Sequence, residues 1–275
     1  MKRQVLGNSS EIWLEYGVNN EKKATVNYYF DEKTSNATRQ AFLRAAKAWE
    51  KDTCINFTKK KLEAYKEQFN RTEWYEFTKY GLPYDYGSIM HYESKRTNPM
   101  MTPKNDHYMG TIGSPMISFI DLSMINEHYY CKTKCVGTRC ENGGFPHPRD
   151  CSECICPGGY GGRLCNELPN DLGGILNATS NSKILFMTHY NTHRDLDYLK
   201  RTYWIKPTEE NVKIEVNMTI INGNLDVPGC ALAGVEIKNE EDKTVTGHRY
   251  AIFSPFISMR HVDYFVESTP GKQIF

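Results

Sequence analysis

Six of the nine cysteines in this 275-residue chain crowd into one short stretch, Cys135-x4-Cys140-x10-Cys151-x2-Cys154-x-Cys156-x8-Cys165. A segment that short cannot bury enough apolar surface to hold itself folded, so it must be stapled covalently. Spacing alone leaves many pairings open. Disulfides persist in oxidising compartments, so the crowding points away from the cytosol, and the odd total leaves one cysteine over. Asn8, Asn36, Asn56, Asn70, Asn177 and Asn217 each open an Asn-x-Ser/Thr sequon, an acceptor pattern that has meaning only in the secretory pathway. The first ten residues contain no apolar run of the signal-peptide kind, and Lys2-Arg3 would suit cleavage after basic residues. The recorded start is therefore expected to be incomplete or to lie near a maturation site. No apolar run is long enough to span a bilayer. Formal net charge is +1, from 34 Lys and Arg against 33 Asp and Glu, so no overall field argues for nucleic acid.

Ahead of the cysteine cluster, Val26, Tyr28 and Phe30 alternate through 24–30 and predict a strand. Ser35 or Asn36 can cap a helix over 37–52, in which Phe42, Ala45, Ala46 and Trp49 recur at i, i+3, i+4 and i+7 and predict one buried face. Leu62, Tyr65 and Phe69 again fall at helical spacing. Asp121 can cap a short helix whose apolar face includes Leu122, Ile125 and Tyr129.

The run Tyr80-Gly-Leu-Pro-Tyr-Asp-Tyr-Gly-Ser-Ile-Met-His-Tyr92 resembles the Met-turn segment of the astacin family of zinc metalloendopeptidases, which belong to the metzincins. The stretch through Trp49 and Thr53-Cys-Ile-Asn-Phe57 is similar to the opening of that family's catalytic domain, and 111–126 is similar to its close. The resemblance implies a secreted enzyme with protein or peptide substrates and a zinc cofactor. In such enzymes H-E-x-x-H-x-x-G-x-x-H supplies three imidazole ligands and a Glu general base. No His-Glu pair occurs in this chain, so no residue is assigned as a metal ligand. Several dozen residues are expected to be missing at a junction near 58–61. What the resemblance carries over is vestigial: Tyr92 as the Met-turn tyrosine, an extra zinc ligand that can stabilise the tetrahedral intermediate, and Met90 as the residue packed under the metal. Without metal, Tyr92 has no oxyanion to stabilise, and Met90 is expected to be core. Cys54 and Cys131 are paired by the family pattern.

The cysteine cluster ends in C-x-C-x8-C with Gly158-Gly-Tyr-Gly-Gly162 and resembles an EGF-like module. That likeness implies Cys135 with Cys151, Cys140 with Cys154 and Cys156 with Cys165. Beyond it, 203–205, 212–220 and 234–238 alternate like strands of a two-sheet sandwich and resemble a CUB domain. Leu172 and Thr202 stand where that family carries its first bonded cysteines, so both partners are absent together. Cys230 lacks its later counterpart near 249–252 and is expected to be the cysteine left over. The final sandwich strand is expected to be missing at Ile274-Phe275.

The predicted fold class is therefore α+β: a truncated metzincin-type domain over 1–131, an EGF-like module over 132–166 and an all-β CUB-like sandwich over 167–275. His189 and His193 have i, i+4 spacing but no Glu between them and no third partner, and read as a polar strand edge. No G-x-S-x-G elbow or phosphate-binding glycine loop occurs. Three readings stay open. The chain is an astacin-like protease recorded without an internal segment, a pseudoprotease that binds extracellular protein partners through its EGF-like and CUB-like modules, or a degenerate product. With its sheet strands and central helix gone, the N-terminal part is expected to be loosened, Tyr28, Phe42 and Trp49 having lost partners.

Overall fold

The computed structural model describes residues 5–6, 14–16, 22–60, 77–78, 80–95, 98–186, 198–210, 212–220, 227–251, 255–262 and 272–274. Leu62, Tyr65, Phe69, Asn8, Asn70, His189 and His193 lie outside these residues.

The N-terminal part contains β1 (Val5–Leu6), β2 (Leu14–Tyr16), β3 (Lys22–Tyr28), α1 (Asn36–Asp52), β4 (Asn56–Lys59), β5 (Phe77–Thr78) and α2 (Phe119–His128). β3 is the centre of a small sheet, antiparallel to β2 and parallel to β4, with α1 as the crossover. Helix α1 starts where expected because Ser35 Oγ accepts the Thr38 amide at 3.1 Å, satisfying an otherwise orphaned donor. Its predicted buried face is only partly covered. Ala46 is the one buried residue, Phe42 and Trp49 are half-buried, and Ala45 is exposed. An aromatic cluster shelters Phe42, whose ring centroid lies 4.8 Å from Tyr28, 5.5 Å from Phe30 and 6.3 Å from Phe57. Among the described residues the aromatics thus cover one another.

Helix α2 begins earlier than the sequence suggests. Ser118, not Asp121, is the N-cap, and Asp121 sits at the third helical position, closing a reciprocal capping box. Both residue types can cap. The difference is that Asp121 reaches back to the Ser118 amide at 2.9 Å while Ser118 Oγ accepts the Asp121 amide at 3.1 Å. Ile125 and Tyr129 pack on a core of Ala24, Cys54, Ile55 and Cys131. The Cys54–Cys131 disulfide, spanning 77 residues, ties the end of α1 to the end of α2 through that core.

The cysteine-rich segment folds on three disulfides, the interlocked pair Cys135–Cys151 and Cys140–Cys154 followed by Cys156–Cys165, around the hairpin of β6 (Phe145–His147) and β7 (Asp150–Ile155). Arg149 at the hairpin tip clamps it to the end of α1. Its Nε donates to the carbonyls of Glu50 and Thr53 at 2.6 and 2.8 Å, and its Nη2 to Ile55 O and Asn56 Oδ1 at 2.6 and 3.1 Å. A cation over the C-terminal carbonyls of a helix is favoured both by hydrogen bonding and by the helix dipole.

The remainder is β-rich, with β8 (Gly174–Ala178), β9 (Lys183–Phe186), β10 (Tyr203–Pro207), β11 (Lys213–Ile220), β12 (Gly234–Lys238), β13 (His248–Ala251), β14 (Pro255–Val262) and β15 (Lys272–Ile274). They form one sheet in the order β13-β12-β15-β10-β8 and another in the order β11-β14-β9. Ala178, Ile205, Ile214 and Val235 are the core, drawn from both sheets, with Leu176, Leu185, Val216 and Ile237 against them. β15 pairs with both β10 and β12.

Beside Leu172 and Thr202, a carboxylate ties two segments together. Asp171 Oδ1 accepts the amides of Gly173 and Thr202 at 2.8 and 2.9 Å, and Oδ2 accepts the Thr202 hydroxyl at 2.6 Å. Thr202 is buried while Leu172 faces solvent. The approach is so close that a Cβ on Gly173 would meet Thr202 O at 1.7 Å, so only glycine fits there. Cys230 is buried and belongs to none of the four disulfides; its Sγ lies 3.6 Å from Gly110 O.

Candidate functional site

The Met-turn lies on the surface of the N-terminal part, held from beneath by two buried carboxylates. Asp121, already occupied with the α2 cap, also accepts the Ser88 hydroxyl at 2.8 Å and the Ile89 amide at 3.1 Å. Ser88 Oγ in turn accepts the Met90 amide at 3.0 Å. One buried side chain therefore fixes both the start of α2 and the bend of the turn, and multiple donors are what allow a carboxylate to stay buried. Asp85 does the same on the other side, accepting the Gly87 amide at 3.0 Å, the Thr246 amide at 3.2 Å and the Thr246 hydroxyl at 3.2 Å.

Thr246 lies just before β13, so the second support reaches across 161 residues. The interface continues through the Thr111 hydroxyl, which donates to Gly247 O at 3.2 Å and accepts the Arg249 amide at 2.8 Å. Arg249 Nη1 donates to Ser114 Oγ at 2.6 Å and Nε forms a 2.7 Å ion pair with Glu236 on β12. Burial by itself would raise the Glu236 carboxyl, but Arg249 and Lys238 beside it more than offset that and hold it below the usual carboxylate range. Lys238 Nζ, buried and lowered by desolvation, donates to Gly158 O at 3.1 Å, and Trp204 Nε1 donates to Gly159 O at 2.8 Å. The cysteine-rich segment is thus gripped from both neighbours. Sequence reading missed Asp85, Asp121 as a hub, Thr246 and Arg249. Asp85-Tyr-Gly87 carries the local signal of an Asx turn; nothing local announces a partner 161 residues away.

The structure brings the carried-over residues together but does not bury them. Met90 is 65% exposed and Tyr92 62%, so the expectation that Met90 is core is overturned. The reason is the turn's orientation: its polar backbone is spent inward on Asp121, which leaves the Met90 and Tyr92 side chains facing out, and no described element lies over them. His91 points the other way. It is buried against Tyr84 and Tyr86, with Nδ1 2.8 Å from Tyr92 O. His128 is also buried, its Nδ1 2.7 Å from the Tyr80 hydroxyl, and burial holds its imidazole below the usual histidine range. Asn36, Asn177 and Asn217 are exposed, whereas Asn56 is half-buried beneath Arg149.

Residues 16–65 and 61–130 match the family model for Astacin, a peptidase family. Residues 16–130 are homologous to the astacin peptidases. Among its curated relatives, Zinc metalloproteinase nas-31 of Caenorhabditis elegans is 36% identical over 76% of this chain and 36% of its own length. Zinc metalloproteinase nas-22 of the same organism is 30% identical over 76% of the chain and 59% of its length. Zinc metalloproteinase-like protein nas-21, also from C. elegans, is 34% identical over 61% of the chain and 41% of its length. The chain thus spans between about a third and three fifths of these relatives. No solved structure matches it.

Zinc is the cofactor this homology implies, and the described residues do not fit it. A zinc centre for peptide hydrolysis needs about three protein ligands with an open position for water. No group of three His, Cys, Asp or Glu among the described residues could hold a metal ion. The imidazole nearest the turn, His91, is directed at a backbone carbonyl. No helix of the described residues is long and apolar enough to cross a membrane.

Proposed function

We propose that this polypeptide is a secreted, astacin-derived protein that does not hydrolyse peptides by itself, because the segment carrying H-E-x-x-H-x-x-G-x-x-H is missing at a junction near 58–61. The observation that carries the reading is the break in the family match, which runs to 65 and starts again from 61, in a chain with no His-Glu pair. Such a break is what one excised segment leaves behind; gradual drift would have scattered substitutions. Tyr92 and Met90 are, on this reading, relics of the site.

The parts beyond 131 serve as binding modules, EGF-like over 132–166 and CUB-like over 167–275. Supporting this are the order of the three disulfides, two crossed and one following, the two facing sheets, and an alignment with nas-31 covering more of the chain than 16–130 can supply. Their partners are extracellular proteins. Secretion and glycosylation rest on the disulfides and on the sequons, three of which are exposed. A second reading, in which the full-length product is an active protease acting on protein substrates, is favoured by the same clean break.

Metal analysis of the purified chain tests the first reading: less than stoichiometric zinc and no chelator-sensitive cleavage of a protein substrate are expected. One bound zinc per chain with cleavage that a chelator abolishes would overturn it. Sequencing the transcript across Thr58–Lys61 separates the second reading, which requires a longer message encoding the zinc motif.

A further inference from the structure

We propose that the packing of β13 on the Met-turn region is a pH-sensitive latch, released on mild acidification when His248 takes up a proton opposite His107. His248 opens β13 and is 6% exposed. Its ring lies 4.3 Å from Tyr108 and 5.4 Å from His107, both on the 3₁₀ turn Asp106–Gly110 of the N-terminal part. Its Nε2 is buried with no hydrogen-bond partner among the described residues, 3.5 Å from Glu240 Oε1. The neutral ring fits this apolar, stacked position; a charged one would be desolvated without a donor-acceptor pair of good geometry.

The groups around it pull in both directions. From the 3₁₀ turn come His107, whose protonated ring repels a second positive charge, and the Tyr108 phenol, which burial raises far above its usual range. From the loop after β12 comes Glu240, which attracts a proton but is half-exposed and screened. Asp85 and Tyr86 beside the Met-turn and Glu236 on β12 lie around Tyr108 rather than against His248. The Pro228–Cys230 turn, packed on β13, brings the Cys230 thiol. Burial prevails and holds the imidazole below the usual histidine range. The folded group therefore binds its proton more weakly than the unfolded one. Such a latch is at full strength above the ordinary histidine value of about 6.5 and weakens as pH falls through and below it.

The amides of Thr246 and Arg249, which donate across the interface to Asp85 and to Thr111, flank His248 and report on the latch. Hydrogen exchange on the full chain at neutral and mildly acidic pH, corrected for intrinsic rates, should show their protection falling as pH drops below about 6.5. In His248→Gln, polar but unable to take a proton in this range, protection should not depend on pH. His128→Gln should leave the fall intact, since His128 lies in α2 and acts on other amides. Protection independent of pH in the unaltered chain, or a fall that persists in His248→Gln, overturns the proposal. Should His248→Gln not fold, His107→Gln at an exposed position decides instead: the fall must lessen, and an unchanged fall counts against the latch.

Discussion

The two helices of the N-terminal part are built by the same local rules and end in opposite situations. α1 has 17 residues, a serine cap and an apolar stripe, yet buries only Ala46. α2 has only 10 residues and a serine cap, yet buries Ile120, Asp121, Ser123, Asn126 and His128. Caps and propensity form a helix; what covers it is decided elsewhere in the chain. α2 is covered because the Met-turn, the disulfide and the β3–β4 core close over it. α1 keeps its aromatics half in water.

Removing the disulfide is the hardest test of this contrast. Cys54→Ser with Cys131→Ser opens a 77-residue loop, worth about 4 to 5 kcal/mol in the chain-entropy model. Denaturant unfolding should show a loss of that order, with α2 losing amide protection before the cysteine-rich segment. A small loss would mean that α2 is held by packing alone. Next, Asp121→Ala orphans four donors shared by the cap and the Met-turn and should cost about 3 kcal/mol, because hydrogen bonds to a buried charge are among the strong ones. Asp121→Asn should recover part of this.

Phe42→Ala on α1 should cost only about 1 kcal/mol, well under the roughly 3 to 5 kcal/mol of a fully buried phenylalanine. A full-sized loss measured by thermal unfolding would show that α1 has a cover not seen among the described residues. Smallest is Met90→Ser, which should stay within about 0.5 kcal/mol, since the side chain is 65% exposed. A larger cost would restore the core role that the structure denies it.

The legible part of the fold was the local part. Periodicity and cap chemistry place α1 within a residue, and alternation places β10, β11 and β12. Disulfide partners are not written in spacing; they entered through the family likeness. The start of α2 was misplaced because Ser118 and Asp121 are both capping residues, and only their reciprocal bonds assign the roles. The candidate site was readable as a motif at Tyr80–Tyr92, but not as an environment. Exposure of Met90 and Tyr92 follows from Asp121, 32 residues beyond Ile89, and the grip of Thr246 on Asp85 from a contact 161 residues apart; neither carries a periodic signature.

The Asp171–Thr202 corner behaves differently from the sulfur bridges. Its strength comes from a charge meeting three donors, so it needs no oxidant to assemble and no isomerase to sort it. A reductant acts on the four sulfur bridges and has no bond to open here.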